Sequence, residues 1–176
     1  MARFVCSMNV SLDGYVDHDR MAPDETLFRF WINAVKATQN ALCGRKIYQL
    51  MTYWQDDQPG WGEAENEFAA AWRAQKKWVV SQTLAEVGPN ATLISSGIEA
   101  KVRALKQDLS GQVDVSGTVL LQSLSDWGLM DEYRLVYHSC ALGSGRPLFL
   151  GPRPPMHLTA SDRIGANTIC LTYQVT

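Results

Sequence analysis

The segment Gln112-Val113-Asp114-Val115-Ser116-Gly117-Thr118-Val119-Leu120-Leu121-Gln122-Ser123-Leu124-Ser125-Asp126-Trp127-Gly128 decides the fold. Its first five residues read as a strand, Thr118 to Trp127 as a helix, and Gly128 as the C′ residue that closes it. A strand that feeds a helix through one short turn is the unit from which parallel sheets are built, because parallel neighbours need a long crossover between them. The unit recurs upstream. Phe4 to Val10 is a short apolar run ended by the turn Ser11-Leu12-Asp13-Gly14. Glu25 to Thr38 then sets Leu27, Phe28, Trp31, Ile32 and Val35 on one helical face, with Asp24 after Pro23 as its N-cap. Asn40 to Cys43 leads into a helix through Tyr48 and Met51, and an alanine-rich helix, Glu63 to Gln75, precedes the strand Lys76 to Ser81. Ala91 to Ser95 and the amphipathic Ile98 to Leu109 complete the series.

Downstream of Gly128 the period changes. Glu132 to Cys140, Met156 to Ile164 and Thr168 to Val175 are long β-type segments with no helix between them, and Gly165-Ala166-Asn167 suits a hairpin joining the last two. The expected fold is therefore α/β: one three-layer α/β/α domain over residues 1–176, with a mixed, mostly parallel sheet and a C-terminal antiparallel hairpin. In such sheets ligands lie beyond the carboxyl ends of the strands.

The 176 residues suffice for one substantial core without a disulfide or metal staple. Hydrophobic residues are 46% and charged residues 19%, a globular rather than a disordered balance. A formal net charge of -2 lacks the positive field of a nucleic-acid binder, and no apolar run reaches the ~20 residues of a membrane helix. The N-terminus has no secretory pattern, so a cytoplasmic protein is expected. Cys6, Cys43, Cys140 and Cys170 each fall in a strand-like stretch among apolar neighbours, which suits small buried hydrophobes. His18, His138 and His157 have no metal-ligand spacing, and no metal is expected.

Two turns draw attention. In the first, Cys43 runs into Gly44-Arg45-Lys46-Ile47-Tyr48. Two cations opening a helix oppose its dipole, unless an anion sits between them and the backbone amides. A turn glycine followed by two solvated charges is the alternative. In the second, Ser116-Gly117-Thr118 joins hydroxyl groups and free amides at a strand end, where a plain N-cap serves equally. Ser81-Gln82-Thr83 adds a third polar strand end. No GxGxxG or Walker A pattern occurs.

These blocks stand in a recognisable order. Met8-Asn9-Val10-Ser11-Leu12-Asp13-Gly14-Tyr15-Val16, Gly44-Arg45-Lys46-Ile47-Tyr48, Ser116-Gly117, Gly128-Leu129-Met130-Asp131-Glu132-Tyr133-Arg134-Leu135 and Leu142-Gly143-Ser144-Gly145-Arg146-Pro147-Leu148-Phe149 span nearly the whole chain. The sequence resembles the dihydrofolate reductase superfamily, in the branch similar to the C-terminal reductase domain of the riboflavin-biosynthesis protein RibD. The resemblance implies a dihydrofolate reductase-like fold and NADPH as cofactor. By position it implies that Gly44, Arg45 and Lys46 bind cofactor phosphates and that Ser81 and Gln82 lie near the adenosine 2′-phosphate. It implies further that Ser116, Gly117 and Thr118 lie under the pyrophosphate, and Asn9 and Val16 beside the nicotinamide.

Two departures weaken the match at the phosphates: Ile47 replaces the family's usual threonine, and Ser116-Gly117 replaces a glycine pair. Folate reductases carry a substrate-holding acid on the first helix, and Asp24 or Glu25 lies near that place. Asp24 serves equally as a helix cap. The expected activity is hydride transfer from NADPH to a small heterocycle, nominally 5-amino-6-(5-phosphoribosylamino)uracil or a dihydrofolate-like pterin. The alternative is a non-catalytic ligand-binding protein that keeps the fold. A homodimer edge at the final strands is also expected.

Overall fold

The computed structural model describes residues 1–176. Strands β1 (Arg3–Ser11), β2 (Asn40–Gly44), β3 (Lys76–Val80), β4 (Ala91–Ile94), β5 (Gln112–Ser116), β6 (Glu132–His138), β7 (Met156–Ile164) and β8 (Thr168–Val175) form one sheet in the order β4-β3-β2-β5-β1-β6-β8-β7. The first six run parallel, and β8 and β7 close the sheet as an antiparallel hairpin. The fold is the expected α/β sandwich with a mixed sheet and a C-terminal hairpin.

Helices α1 (Glu25–Lys36), α2 (Arg45–Met51), α3 (Glu63–Ala74), α4 (Ile98–Asp108) and α5 (Thr118–Asp126) cover the two faces. On one face Phe4, Cys6, Leu42, Val113 and Val115 pack against Val102 of α4 and Leu120, Leu121 and Leu124 of α5 in the main core. On the other face Ile32 of α1 packs with Phe68 and Trp72 of α3, and Tyr48 of α2 packs with Cys43 and Val79. Each fully buried Leu or Ile of this kind contributes about 1.5–3 kcal/mol.

The caps sit where the residue types demand them. Asp24 accepts from the Leu27 amide at 2.8 Å, and Gly128 adopts φ +67° beyond α5. Helix α1 ends at Lys36, short of Thr38, because the amides of Ala37 and Thr38 fold back onto Asn33 and Val35 carbonyls in a tightening last turn. Cys140 departs from expectation. Strand β6 ends at His138, and the Cys140 amide turns back onto the His138 carbonyl, so Cys140 lies in a half-buried turn while the other three cysteines are buried.

Beyond β1 and β6 two loops are laced together. Asp13 accepts from the amides of Leu142 and Gly143, Asp17 accepts from the Arg146 amide, and Arg20 donates to the carbonyls of Leu142 and Ser144. No helix is long and apolar enough to cross a membrane.

Candidate functional site

Because β1 to β6 are parallel, their carboxyl ends share one edge of the sheet. At the end of β2, Cys43 pairs with Ser116 of β5 and Gly44 with Val80 of β3. The two glycine turns touch: a Cβ placed on Gly117 would stand 3.4 Å from the Gly44 amide nitrogen and 3.6 Å from its Cα. Gly117 has φ +107°, a backbone region that side-chain-bearing residues rarely adopt. Gly44, at φ -77°, is under no such constraint. Its glycine leaves open space instead, the nearest obstacle to a Cβ being the Leu120 Cβ at 3.9 Å.

A cavity of about 650 Å³ opens beside these turns and runs between the sheet and helices α1 and α3. Asn9, Val16, Lys46, Ser116, Gly117 and Thr118 line it, so six of the expected site residues meet there. Arg45 lies outside its lining, exposed at the opening of α2, where its guanidinium reaches only Gln49 at 3.5 Å. Neither Arg45 nor Lys46 is paired with a carboxylate. Ser81 and Gln82 follow β3 on the same edge but line no part of the cavity. The Ser81 hydroxyl accepts from the Thr83 and Leu84 amides at 3.2 and 3.1 Å and so stabilises its own turn, while Gln82 is exposed.

The expected acid is placed elsewhere. Asp24 caps α1 and faces a separate cavity of about 280 Å³ with His138 and Asn167, and Glu25 is exposed and lines neither cavity. The capping bond ties the Asp24 carboxylate to the helix start, away from the main cavity. His138 links the two spaces, its Nε2 lying 3.0 Å from Asn9 Oδ1. Burial lowers the His138 pKa below 6.5, against an upward pull from Asp24. Burial thus favours the neutral ring, which in the tautomer that carries its proton on Nε2 donates to Asn9 Oδ1.

The main cavity has an acid of its own. Gln112, Asp114 and Ser116 point from β5 into it, while Val113 and Val115 face the opposite core. Burial raises the Asp114 carboxyl from 3.8 to about 6, although hydrogen bonding from Ser7 and the charge of Arg134 act in the other direction. Lys77 of β3 shares this floor. Burial lowers it from 10.5 to about 8, and its Nζ donates to the carbonyls of Trp72 and Gln75. Cys43 lies near both, and burial, then the Asp114 charge, push its thiol up to about 12, so it is inert. Phe28 and Phe68, stacked at 5.7 Å, together with Trp31 and Trp72 form apolar walls.

A volume in the usual range of small-molecule sites, roughly 300–1,000 Å³, with aromatic walls and a few polar groups, suits a planar ring system. The two free cations and the amides at Gly44 and Gly117 suit an anionic tail at its mouth. These residues fit a nicotinamide dinucleotide.

The RibD C-terminal domain family matches residues 3–170. The uncharacterised Bacillus subtilis protein YyaP is 28% identical over 166 residues, covering 89% of this chain and 85% of that protein. Among solved structures, a putative riboflavin biosynthesis protein from Shewanella sp. PV-4 superposes with a TM-score of 0.74 at 20% identity, covering 100% of this chain and 99% of the other. Dihydrofolate reductase from Enterococcus faecalis, solved with NADP(H), gives 0.64 at 12% identity over 98% of this chain and 95% of the other. These two likenesses show the fold.

Proposed function

The chain belongs to the RibD C-terminal domain family, and from this we propose that it is an NADPH-dependent reductase acting on a small heterocycle. The nominal substrate is 5-amino-6-(5-phosphoribosylamino)uracil, with a dihydrofolate-like pterin second. The observation that carries the reading is the abutment of the Gly44 and Gly117 turns at the mouth of an aromatic-walled cavity.

Bound NADPH supplies the hydride; the protein's part is to hold, orient and exclude water. The amides after Gly117 that open α5 would hold the pyrophosphate, and Arg45 and Lys46 at the next turn would neutralise phosphate charge. Ser81 and Gln82 extend the same edge for the adenosine 2′-phosphate. Asn9, held by His138, and Val16 would hold the nicotinamide. Phe28, Trp31 and Trp72 exclude water around the reacting ring. Asp24 and Glu25 have no part in this reading, since neither reaches the cavity, and the proton that balances the hydride comes from solvent at the mouth. Dimerisation along β7, the edge strand of the C-terminal hairpin, with Leu158 exposed on it, completes the proposal.

Titration of the protein with NADPH, followed by the nicotinamide fluorescence, tests the cofactor assignment. Saturable binding that weakens in Arg45→Ala supports it, and no binding of NADPH or NADH removes the enzyme reading. NADPH consumption with the pyrimidine and with dihydrofolate then ranks the two substrates, and sedimentation velocity reads the dimer.

A further inference from the structure

The floor of the main cavity carries two opposite charges that do not meet. Lys77, Ala41 and Asp114 are register neighbours on three adjacent strands, and all three line the cavity. With strands roughly 4.8 Å apart, the Lys77 and Asp114 backbones are separated by about 10 Å, and no ion pair joins them. Between them stands only the methyl group of Ala41. Two of the three ammonium donors of Lys77 are spent on the Trp72 and Gln75 carbonyls, and its charge lies 4.1 Å from the Trp72 ring centroid. One donor remains. Ser7 and the charge of Arg134 act on Asp114, but no side chain is bound to it in a salt bridge, which leaves lone pairs free on a carboxyl with capacity for about four bonds.

We infer that Lys77 and Asp114 recognise the edge of the substrate ring across Ala41, with a ring N–H facing Asp114 and a ring C=O facing Lys77. This deepens the reductase reading and rests on it. The ligand class is an uncharged oxo-heterocycle with a lactam or ureide edge. A singly charged group at this depth would pair with one of the two and be opposed by the other, so a neutral edge that carries both a donor and an acceptor matches the pair best. Ser116 lies two residues beyond Asp114 on the same strand face, about 6.6 Å along β5. A bicyclic ring held at Asp114 therefore presents its far edge to the Gly117 turn.

The probes are lumazine (pteridine-2,4-dione) and 1,3-dimethyllumazine, which keeps both carbonyls and the ring shape but has no ring N–H. Binding is read at pH 7 by quenching of the protein's tryptophan fluorescence, with NADPH titrated in parallel. Lumazine is expected to bind saturably and its dimethyl derivative at least about tenfold more weakly, the usual cost of losing a hydrogen bond to a charged group. Asp114→Asn and Lys77→Met are each expected to weaken lumazine about tenfold or more while leaving NADPH affinity unchanged. Asp114→Asn keeps the side-chain shape and removes a buried charge, so its folding is secure, and the methylated probe needs no variant. Equal affinity for the two lumazines, indifference to both substitutions, or no lumazine binding by a protein that binds NADPH overturns the inference. Failure of NADPH binding alone removes the reductase reading and with it the ring's role as substrate, while preference for lumazine over its dimethyl derivative still supports ring-edge recognition by this pair.

Discussion

The Gly44 amide nitrogen lies 3.4 Å from the point where a side chain on Gly117 would begin, so the two strand-to-helix turns share one surface. The two glycines serve it differently. Gly117→Ala forces a side chain into φ +107° and is expected to cost about 1–3 kcal/mol of stability, with a lowered Tm. Gly44→Ala, at φ -77°, is expected to leave Tm nearly unchanged while weakening NADPH binding, because it narrows the approach to the amides. Thermal melts paired with NADPH titrations distinguish the two.

Arg45 and Lys46 are exposed and free of acidic partners. Replacing both by alanine is expected to weaken NADPH more than NADH, and the difference should shrink as salt is raised. Titrations of both nucleotides at low and high ionic strength check this. Equal loss for the two would place the cations away from the 2′-phosphate.

Asp114 sets a pH dependence. Its carboxyl titrates at about 6 in the fold against 3.8, so the folded state binds more protons between these values and stability falls as pH rises through that window. Above pH 6 the full cost, about 3 kcal/mol, is present. Asp114→Asn is therefore expected to be more stable than the parent at pH 7 and close to it below pH 4. Urea denaturation at the two pH values reads the difference.

His138 works in the opposite sense. Burial holds its pKa below 6.5, so the unfolded chain takes up the proton first and stability is lost as pH falls through that range. His138→Phe also removes the 3.0 Å partner of Asn9. The substitution is expected to cost about 1 kcal/mol and to raise the KM for NADPH, since the Asn9 amide is no longer held. Urea melts and steady-state kinetics measure the two effects.

Much of the architecture could be read from local signals. Asp24 and Gly128 mark helix ends through their own chemistry, and the change of period after Gly128 announced the antiparallel strands. Asp114 was hidden for a physical reason. Between Val113 and Val115 it looks like the solvent side of an ordinary strand, and only insertion of β5 between β2 and β1 turns that side toward a covered cavity. Lys77, in a strand with a polar start, was masked the same way. At Asp24 the sequence leaves two roles open, because a carboxylate at a helix start suits a cap and a substrate acid alike, and the structure shows the cap through the bond from the Leu27 amide. Ser81 and Gln82 fell on the right edge, but the hydroxyl of Ser81 was already committed to its own turn.

The lacing of the loops after β1 and β6 by Asp13, Asp17 and Arg20 also carries Arg146 to the cavity mouth. The Ser11 hydroxyl, then the Leu142 and Gly143 amides, hold the Asp13 carboxyl down at about 2, so the Asp13 part of the lacing persists well into acid. Neither loop can detach without breaking bonds to the other, so their amide protons should exchange with deuterium at matched rates. Access to the interior then depends on one joint opening rather than on two independent ones.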